Sequence, residues 1–141
     1  MILPNEIETQ QVQIKDIQKL NQAFSIDLDN RFWACEEDFL REGFGFAVKS
    51  KNSGDFLSLC YSAAVSNNIA EIDIVTGNNF KNKGYAQLVA NLFINHCHKL
   101  NILPNWDCYT NNLPSYKLAK KLGFIDSFKY DLFTINLKGL S

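Results

Sequence analysis

The stretch Glu71-Ile-Asp-Ile-Val-Thr-Gly-Asn-Asn-Phe-Lys-Asn-Lys-Gly-Tyr-Ala86 contains the change of pattern that decides the fold. It begins as a strand, passes through a polar loop and becomes a helix at Gly84. The first turn of a helix offers backbone N–H groups without partners inside the helix, and the helix dipole is positive there. Gly84 lets a ligand approach the backbone, and Lys81 and Lys83 add positive charge. An ordinary polar loop has a similar composition, but the segment also fits an anion site, best of all for a diphosphate.

The residues before this stretch have the pattern of an antiparallel sheet. Strands are predicted over residues 44–49, 56–65 and 70–76, and turn-forming residues at 50–54 and 67–68 join them. Nearer the N-terminus, the sequence predicts a short strand at 11–14 and a helix from a cap at Asp16 to about Phe24. A second helical stretch is expected near residues 35–41.

The residues after Gly84 change to helical spacing. Apolar residues recur with this spacing at Leu88, Val89, Phe93, Cys97 and Leu100, and they predict a helix that ends near Lys99. A short strand is predicted at 106–109, and the long crossover should leave it parallel to the strand at 70–76. A further helix over 116–122 should end at Gly123. Residues 124–137 are predicted to be extended, with a bulge or tight turn near Leu132 because the apolar positions change parity.

Length and composition limit the class of protein. The chain has 141 residues, of which 46% are hydrophobic, and its net charge is −1. These values predict a single domain over residues 1–141 and argue against a general nucleic-acid binder. No apolar run approaches the roughly 20 residues of a membrane span, and the first 14 residues do not resemble a signal peptide. We therefore expect a cytoplasmic protein without a membrane partner.

The charges are unevenly distributed along the chain. Residues 1–75 carry six basic and twelve acidic side chains, whereas residues 76–141 carry eight basic and three acidic ones. A basic second half could attract a phosphate-bearing ligand, and an acidic first half could attract a cationic one. Chance asymmetry of a solvated surface explains the same pattern equally well.

The cysteines and histidines do not predict a metal or a nucleophilic centre. The four cysteines are far apart and form no C-x-x-C pair, which favours reduced thiols in the core. Residues His96-Cys97-His98 are successive on a predicted helix, so their side chains point about 100° apart and should not converge on one ion. No neighbouring group is placed to activate a thiolate, so a Cys/His nucleophile is not expected.

Several motifs, in order, carry a resemblance to a known family. Lys81-Asn-Lys-Gly-Tyr-Ala86 resembles the acyl-CoA loop of the GNAT N-acetyltransferases, in which Arg or Gln usually stands where this chain has Lys81. Pro104-Asn-Trp-Asp-Cys108, Asn112-x-x-Ser115 and Leu118-Ala-Lys-Lys-Leu-Gly-Phe124 resemble the second signature of that family. Together with Phe39-Leu-x-x-Gly-Phe-Gly-Phe46, these segments look most like the branch that includes zwittermicin-resistance acetyltransferases.

The resemblance implies both a fold and an activity. The expected fold is α/β (α+β), with a mixed central sheet that is mostly antiparallel, a splayed parallel pair of strands and about four flanking helices. The expected activity is N-acyl transfer, most simply of acetyl from acetyl-CoA to a primary amine by direct attack. The implied partner is a small-molecule amine, no metal is expected, and the chain would be a monomer or a homodimer. A non-catalytic acyl-CoA-binding or sensor domain and a phosphate-binding interaction module are the alternatives.

The resemblance also assigns residues to the binding of acyl-CoA. The pantetheine arm would pair with the strand at 74–76, and a backbone N–H near Val75 would polarise the thioester carbonyl. The diphosphate would lie on the N–H groups of residues 82–86. The full expected set is Ile74, Val75, Thr76, Lys81, Asn82, Lys83, Gly84, Tyr85, Ala86, Asn112 and Ser115. Asn112 could equally be a helix cap.

The catalytic assignments rest on the same resemblance. Glu71 and Asp73 should share one face of their strand, opposite Ile72 and Ile74, and the resemblance favours Glu71 as general base. Both carboxylates could instead be solvated charges, or could bind a cationic acceptor without taking its proton. Ala119 stands where many members of the family have a Tyr that protonates the leaving thiolate, so Tyr116, Ser115 or solvent would have to serve. Five aromatic residues are candidates for an acceptor pocket or for the core: Phe32, Trp33, Phe39, Phe44 and Phe46.

Overall fold

One mixed sheet organises the chain. The computed structural model describes residues 4–26, 43–109, 112–129 and 132–137. Within these residues, the strands are β1 (Ile7–Gln11), β2 (Gly45–Ser50), β3 (Phe56–Ser66), β4 (Ile69–Thr76), β5 (Leu103–Tyr109), β6 (Phe124–Lys129) and β7 (Leu132–Leu137). The helices are α1 (Ile17–Phe24), α2 (Tyr85–Leu100) and α3 (Leu113–Lys121). The order across the sheet is β1-β2-β3-β4-β5-β7-β6.

The first four strands form an antiparallel meander, as predicted for β2 to β4. The turn between β3 and β4 is made by Asn67 and Asn68, whose φ angles are +52° and +62°. Asparagine accepts this left-handed conformation better than most residues, and consecutive positive φ angles match the twist of a hairpin. These strands are joined by short turns and lie close together in the sequence, so their pattern could be recognised.

The predicted first strand was placed too late in the sequence. β1 ends at Gln11, because residues 13–16 fold into a turn instead of continuing the strand. The Asp16 carboxylate accepts hydrogen bonds from the Gln13 backbone N–H at 2.9 Å and from the Gln10 amide at 2.8 Å. The helix predicted to run to about Phe24 is confirmed as α1, but the Asp16 side chain makes no capping hydrogen bond to it, because its carboxylate is bonded to Gln10 and Gln13 instead.

β4 and β5 form the parallel pair, and they separate after three residues. Their register partners are Ile69 with Leu103, Ala70 with Pro104 and Glu71 with Asn105. β4 remains paired with β3 as far as Thr76, so within these two described strands the far half of β4 lacks β5 as a neighbour. The predicted splayed parallel pair is confirmed.

β5 begins three residues earlier than predicted, at Leu103 instead of Trp106. Proline has no N–H to donate, so Pro104 argues against a strand at that point. The strand tolerates it because pairing with β7 begins only at Asn105, one residue later.

The C-terminal residues form a hairpin beside β5. β6 and β7 are antiparallel, and Lys129 is the register partner of Leu132; residues 130–131, where the predicted turn would fall, lie outside the described residues. β7 lies between β5 and β6. Helix α3 precedes this hairpin, and Gly123, with a φ of +100°, follows its end as predicted.

Both faces of the sheet are covered. On one face, residues of α1 pack against the meander in a cluster that comprises Val12, Ile17, Leu20, Ala47, Phe56, Leu59 and Tyr61. On the other, α2 covers a cluster of Phe44, Val48, Leu57, Cys60, Ala70, Tyr85, Val89, Phe93 and Cys97. A third cluster joins α2, α3 and β5 through Ala90, Ile94, Trp106, Ala119 and Phe124. No helix of the described ranges is long and apolar enough to cross a membrane.

The predicted aromatic set divides between the core and undescribed residues. Phe44 is buried and Phe46 packs against the same cluster, so both belong to the core. Phe32, Trp33 and Phe39 lie outside the described residues, as does the helical stretch predicted at 35–41.

Candidate active site

The loop before α2 is the segment for which the sequence predicts an anion site. Gly84 caps the helix with a φ of +86°, and Asn82 also has a positive φ, +63°. The Leu88 N–H donates to the Gly84 carbonyl at 3.1 Å, so the N–H groups of residues 85–87 come before the first helical hydrogen bond. A Cβ atom added at Gly84 would meet no atom within 4 Å. The backbone is therefore open to a ligand at the positive end of the helix dipole, with the exposed side chains of residues 81–83 beside it.

Backbone hydrogen bonds at the two ends of β4 show which residues face β5. The Gly77 N–H donates to the Leu57 carbonyl at 3.0 Å, toward β3. The Leu103 N–H donates to the Asn68 carbonyl at 2.8 Å, from β5. Because backbone groups alternate sides along a strand, odd-numbered residues of β4 direct theirs toward β3 and even-numbered residues direct theirs toward β5.

This alternation changes the predicted hydrogen-bond donor on β4. Ile74 and Thr76 lie beyond the last pair with β5, so their N–H and C=O groups face the gap between the strands. Val75 is turned the other way, and its carbonyl accepts a hydrogen bond from the Ser58 hydroxyl at 3.1 Å. The N–H predicted near Val75 is therefore not that of Val75 itself, because it faces β3; the candidates are its two neighbours.

Glu71 and Asp73 share a face, as predicted. The Tyr61 hydroxyl donates to Asp73 Oδ2 at 2.7 Å, and Tyr61 belongs to the cluster under α1. Ile72 and Ile74 pack instead against the clusters under α2. The two carboxylates therefore lie on the α1 face of the sheet, at the point where β4 and β5 separate.

Glu71 has two polar neighbours on β5. The Asn105 side-chain amide donates to Glu71 Oε2 at 2.8 Å, and the same nitrogen lies 3.4 Å from each carboxylate oxygen of Asp107. Partial burial raises the pKa of Glu71, the Asn105 hydrogen bond opposes that rise, and the Asp107 charge adds to it. The net effect makes Glu71 a stronger base than an exposed glutamate, which suits a group that takes a proton near neutral pH.

Trp106 contacts a predicted site residue that the sequence could not connect to it. Its buried indole N–H donates to Ser115 Oγ at 2.9 Å, while the Ser115 backbone N–H donates to Asn112 Oδ1 at 3.3 Å. Asn112 is thus the N-cap of α3. The indole occupies an acceptor position of the Ser115 hydroxyl, which keeps its own proton available for donation. Tyr116, the other candidate acid, packs against the cluster that contains Trp106.

The buried thiols are unsuited to nucleophilic catalysis. Burial raises the pKa of Cys60, and burial raises the pKa of Cys97 to about 12, so both stay protonated at neutral pH. His96 stacks against Phe44 with ring centroids 4.6 Å apart, while the side chain of His98 is exposed. The three successive residues 96–98 therefore point in different directions, as expected.

Tyr85 has a buried hydroxyl whose effect on the stability of the fold can be measured. Its backbone lies in the predicted anion site, but its side chain is buried, and its hydroxyl has no hydrogen-bond partner among the described residues. A buried unpaired hydroxyl destabilises the folded state, so Tyr85→Phe is expected to raise the free energy of unfolding by about 1 kcal/mol, measured by urea denaturation. Tyr61→Phe, which removes a hydroxyl that is bonded to Asp73, should lower it. A loss of stability in Tyr85→Phe would contradict the assignment of an unpaired hydroxyl.

Comparisons with known proteins agree with this geometry. The sequence profile of the family described as GNAT acetyltransferase matches residues 2–133. The uncharacterized N-acetyltransferase YdfB of Bacillus subtilis is 37% identical over 119 residues, which are 84% of this chain and 45% of that protein. The chain belongs to the GNAT acetyltransferase family, as its motifs predicted, and spans about half the length of this curated relative.

Solved structures show the same architecture. A GCN5-related N-acetyltransferase-like protein from Streptococcus suis has a TM-score of 0.80 and 26% identity, covering 95% of this chain and 52% of its own. The ribosomal-protein-S18-alanine N-acetyltransferase of Escherichia coli has a TM-score of 0.71 and 13% identity, covering 93% of this chain and 92% of its own. A spermidine N-acetyltransferase from Vibrio cholerae has a TM-score of 0.73 and 14% identity, covering 94% of both chains. At 13% and 14% identity, the last two show the fold alone.

Proposed function

We propose that this chain transfers an acetyl group from acetyl-CoA to a primary amine of a small molecule. The observation that carries the proposal is that, among the described strands, β4 beyond Glu71 lacks β5 as a neighbour and leads along the chain to the open N-terminus of α2. An extended ligand arm can pair with that edge as an added strand would, and its diphosphate can lie on the helix terminus. Membership of the GNAT family, which generally uses acetyl-CoA, supports the same choice.

Different residues would bind different parts of acetyl-CoA. The N–H groups of residues 82–86 hold the diphosphate, with Lys81 and Lys83 contributing charge; Lys81 replaces the usual Arg or Gln without loss because the backbone makes most of the contacts. The backbone groups of Ile74 and Thr76 bind the pantetheine arm. Asn112, having its side-chain oxygen occupied by the helix cap, contributes through its amide nitrogen.

Acetyl-CoA supplies an acetyl thioester that is reactive toward an uncharged amine. Glu71 takes the proton of that amine, directly or through water, because its pKa is raised by burial. A backbone N–H of Ile74 or Thr76 stabilises the charge that develops on the thioester oxygen. The Ser115 hydroxyl, which accepts a hydrogen bond from Trp106, is a better candidate than Tyr116 for donating a proton to the leaving CoA thiolate.

A thiol-release assay tests the proposal. The chain is incubated with acetyl-CoA and a panel of primary amines that includes amino acids, polyamines, aminoglycosides and short peptides. We expect at least one amine to gain one acetyl group on nitrogen, seen by mass spectrometry, for each CoA thiol released. If no amine of the panel is acetylated, the proposal is contradicted.

A second candidate function is a non-catalytic acyl-CoA sensor. Ala119, which stands where many family members have the acidic Tyr, is completely buried in the core, so the chain has no hydroxyl at that position. This function predicts that acetyl-CoA binds but that its thioester survives prolonged incubation with every amine in the panel.

A further inference from the structure

Asn105 lies at the point where the sheet opens. It is the register partner of Glu71, and this pair is the last one between β4 and β5. Its side chain is buried, with 7% of its surface exposed, although asparagine is seldom buried. A buried amide requires hydrogen-bond partners, and here its nitrogen donates to Glu71 Oε2 at 2.8 Å.

The two carboxylates of β4 are held by different kinds of donor. Asp73 accepts from the Tyr61 hydroxyl at 2.7 Å. Glu71 accepts from the amide of Asn105, which has no acidic proton to exchange and keeps the same donor at every pH. An amide therefore fixes one oxygen of Glu71 without competing for the proton that the other oxygen would take.

Asp107 modifies this arrangement from the next position on the same face of β5. Its carboxylate lies 3.4 Å from the Asn105 nitrogen that also contacts Glu71. Among the described residues, the acidic side chains near Glu71 on this face are Asp107 of β5 and Asp73 of β4; on β3, Ala64 is its register partner and Tyr61 contacts Asp73. The negative charge of Asp107 favours the protonated form of Glu71 and strengthens it as a base.

We propose that Asn105 is the positioning residue of the general base: its amide holds Oε2 of Glu71 at the opening of the sheet, so that the carboxylate is placed to accept the amine proton. The inference rests on the proposed function, because it needs Glu71 to act as that base. Asn105 would act only through Glu71, by holding its carboxylate, and would not itself touch the substrate.

Two variants should shift the pKa of Glu71 in opposite directions. Asn105→Leu removes the donor but keeps a similar shape, and Asp107→Asn removes the charge of an exposed side chain while keeping its size. Without the Asn105 hydrogen bond, the pKa of Glu71 should rise; without the Asp107 charge, it should fall. The acid limb of the profile of kcat/KM against pH should accordingly move to higher pH in Asn105→Leu and to lower pH in Asp107→Asn.

Titration of the Glu71 carboxyl carbon by NMR gives a readout that does not need turnover. The protein carries 13C-labelled glutamate, and Glu71→Gln identifies the resonance. Its midpoint should move in the same directions as the rate profiles. In Asn105→Leu, kcat near neutral pH should fall on the order of tenfold or more, because the base is no longer held in place, while KM for acetyl-CoA stays unchanged.

The outcomes separate this inference from the proposed function. Midpoints and pH profiles that do not move in either variant would overturn the positioning role, even if Asn105→Leu were less active. A Glu71 midpoint that moves while the rate profiles stay fixed would overturn it as well, because Glu71 would not then be the base. Absence of acetyl transfer by the unaltered chain overturns the proposed function itself, and with it the need for a positioned base.

Discussion

Glu71→Gln is expected to lower kcat for acetyl transfer by roughly 10²- to 10⁴-fold, the usual contribution of a general base. The substitution keeps an oxygen that can accept the Asn105 hydrogen bond, so the local structure should be retained. The KM for acetyl-CoA should change little, because the carboxylate lies on the α1 face and the pantetheine path follows the backbone of β4. Steady-state kinetics at saturating acetyl-CoA measures the effect.

The stability of this variant should move in the opposite direction from its activity. The folded state raises the pKa of Glu71, so its protonated form favours folding. This contribution to stability is fully present below the pKa of glutamate in the unfolded chain, about 4.3. It is lost as the pH rises through the higher pKa that Glu71 has in the folded state. Glutamine resembles the protonated form, so Glu71→Gln should be at least as stable as the unaltered chain at pH 7.

Asp73→Asn is the matched control for this prediction. Asp73 occupies the same face of β4, two residues away, and is already bonded to the Tyr61 hydroxyl. It should retain most of the activity. Equal loss of activity in both variants, or a large loss of stability in Glu71→Gln, would show that Glu71 has a structural role or that the acidic face binds the acceptor only by its charge.

Gly84→Glu is expected to weaken acetyl-CoA binding on the order of 100-fold or more. Among the described residues, the space that a Cβ would enter is open, so the new side chain can extend toward the position proposed for the diphosphate. A carboxylate there would repel the diphosphate and block the backbone N–H groups, and like charges placed together cost several kcal/mol. Calorimetric titration of acetyl-CoA into both proteins measures the difference.

Gly54→Glu controls for the strain of the backbone. Gly54 has a φ of +77°, close to that of Gly84, and a Cβ added there would also meet no atom within 4 Å. Each substitution should lower the free energy of unfolding by roughly 1 to 2 kcal/mol, because L residues avoid this conformation. Only Gly84→Glu should lose acetyl-CoA binding. Equal binding of acetyl-CoA by the two variants would contradict the placement of the diphosphate at the N-terminus of α2.

The parts of the fold that depend on neighbours in the sequence were predictable. The meander could be recognised because its strands are joined by short turns, and the helix after Gly84 could be recognised from its spacing. The start of β5 was predicted three residues too late. Pro104 can lie in this strand because pairing with β7 begins only at Asn105. The turn at residues 13–16 depends on the Asp16 side chain, which the sequence presented only as a helix cap.

The sequence could propose residues for the candidate site but could not predict the contacts between them. Its loop and its second signature follow the family pattern, and the opposite faces of β4 follow from strand periodicity. The hydrogen bond between Glu71 and Asn105 joins residues 34 positions apart, and it depends on the register of a parallel pair. No local pattern encodes that register, nor the contact of Trp106 with Ser115.

The central claim is that the path between β4 and α2 is an acyl-CoA site. Calorimetric titration of acetyl-CoA, beside CoA and ADP, tests it most directly. The account predicts micromolar binding of acetyl-CoA and CoA, and weaker binding of ADP, which reaches the helix terminus but has no arm to pair with β4. Absence of binding by acetyl-CoA and CoA, or equal affinity for all three ligands, would contradict it.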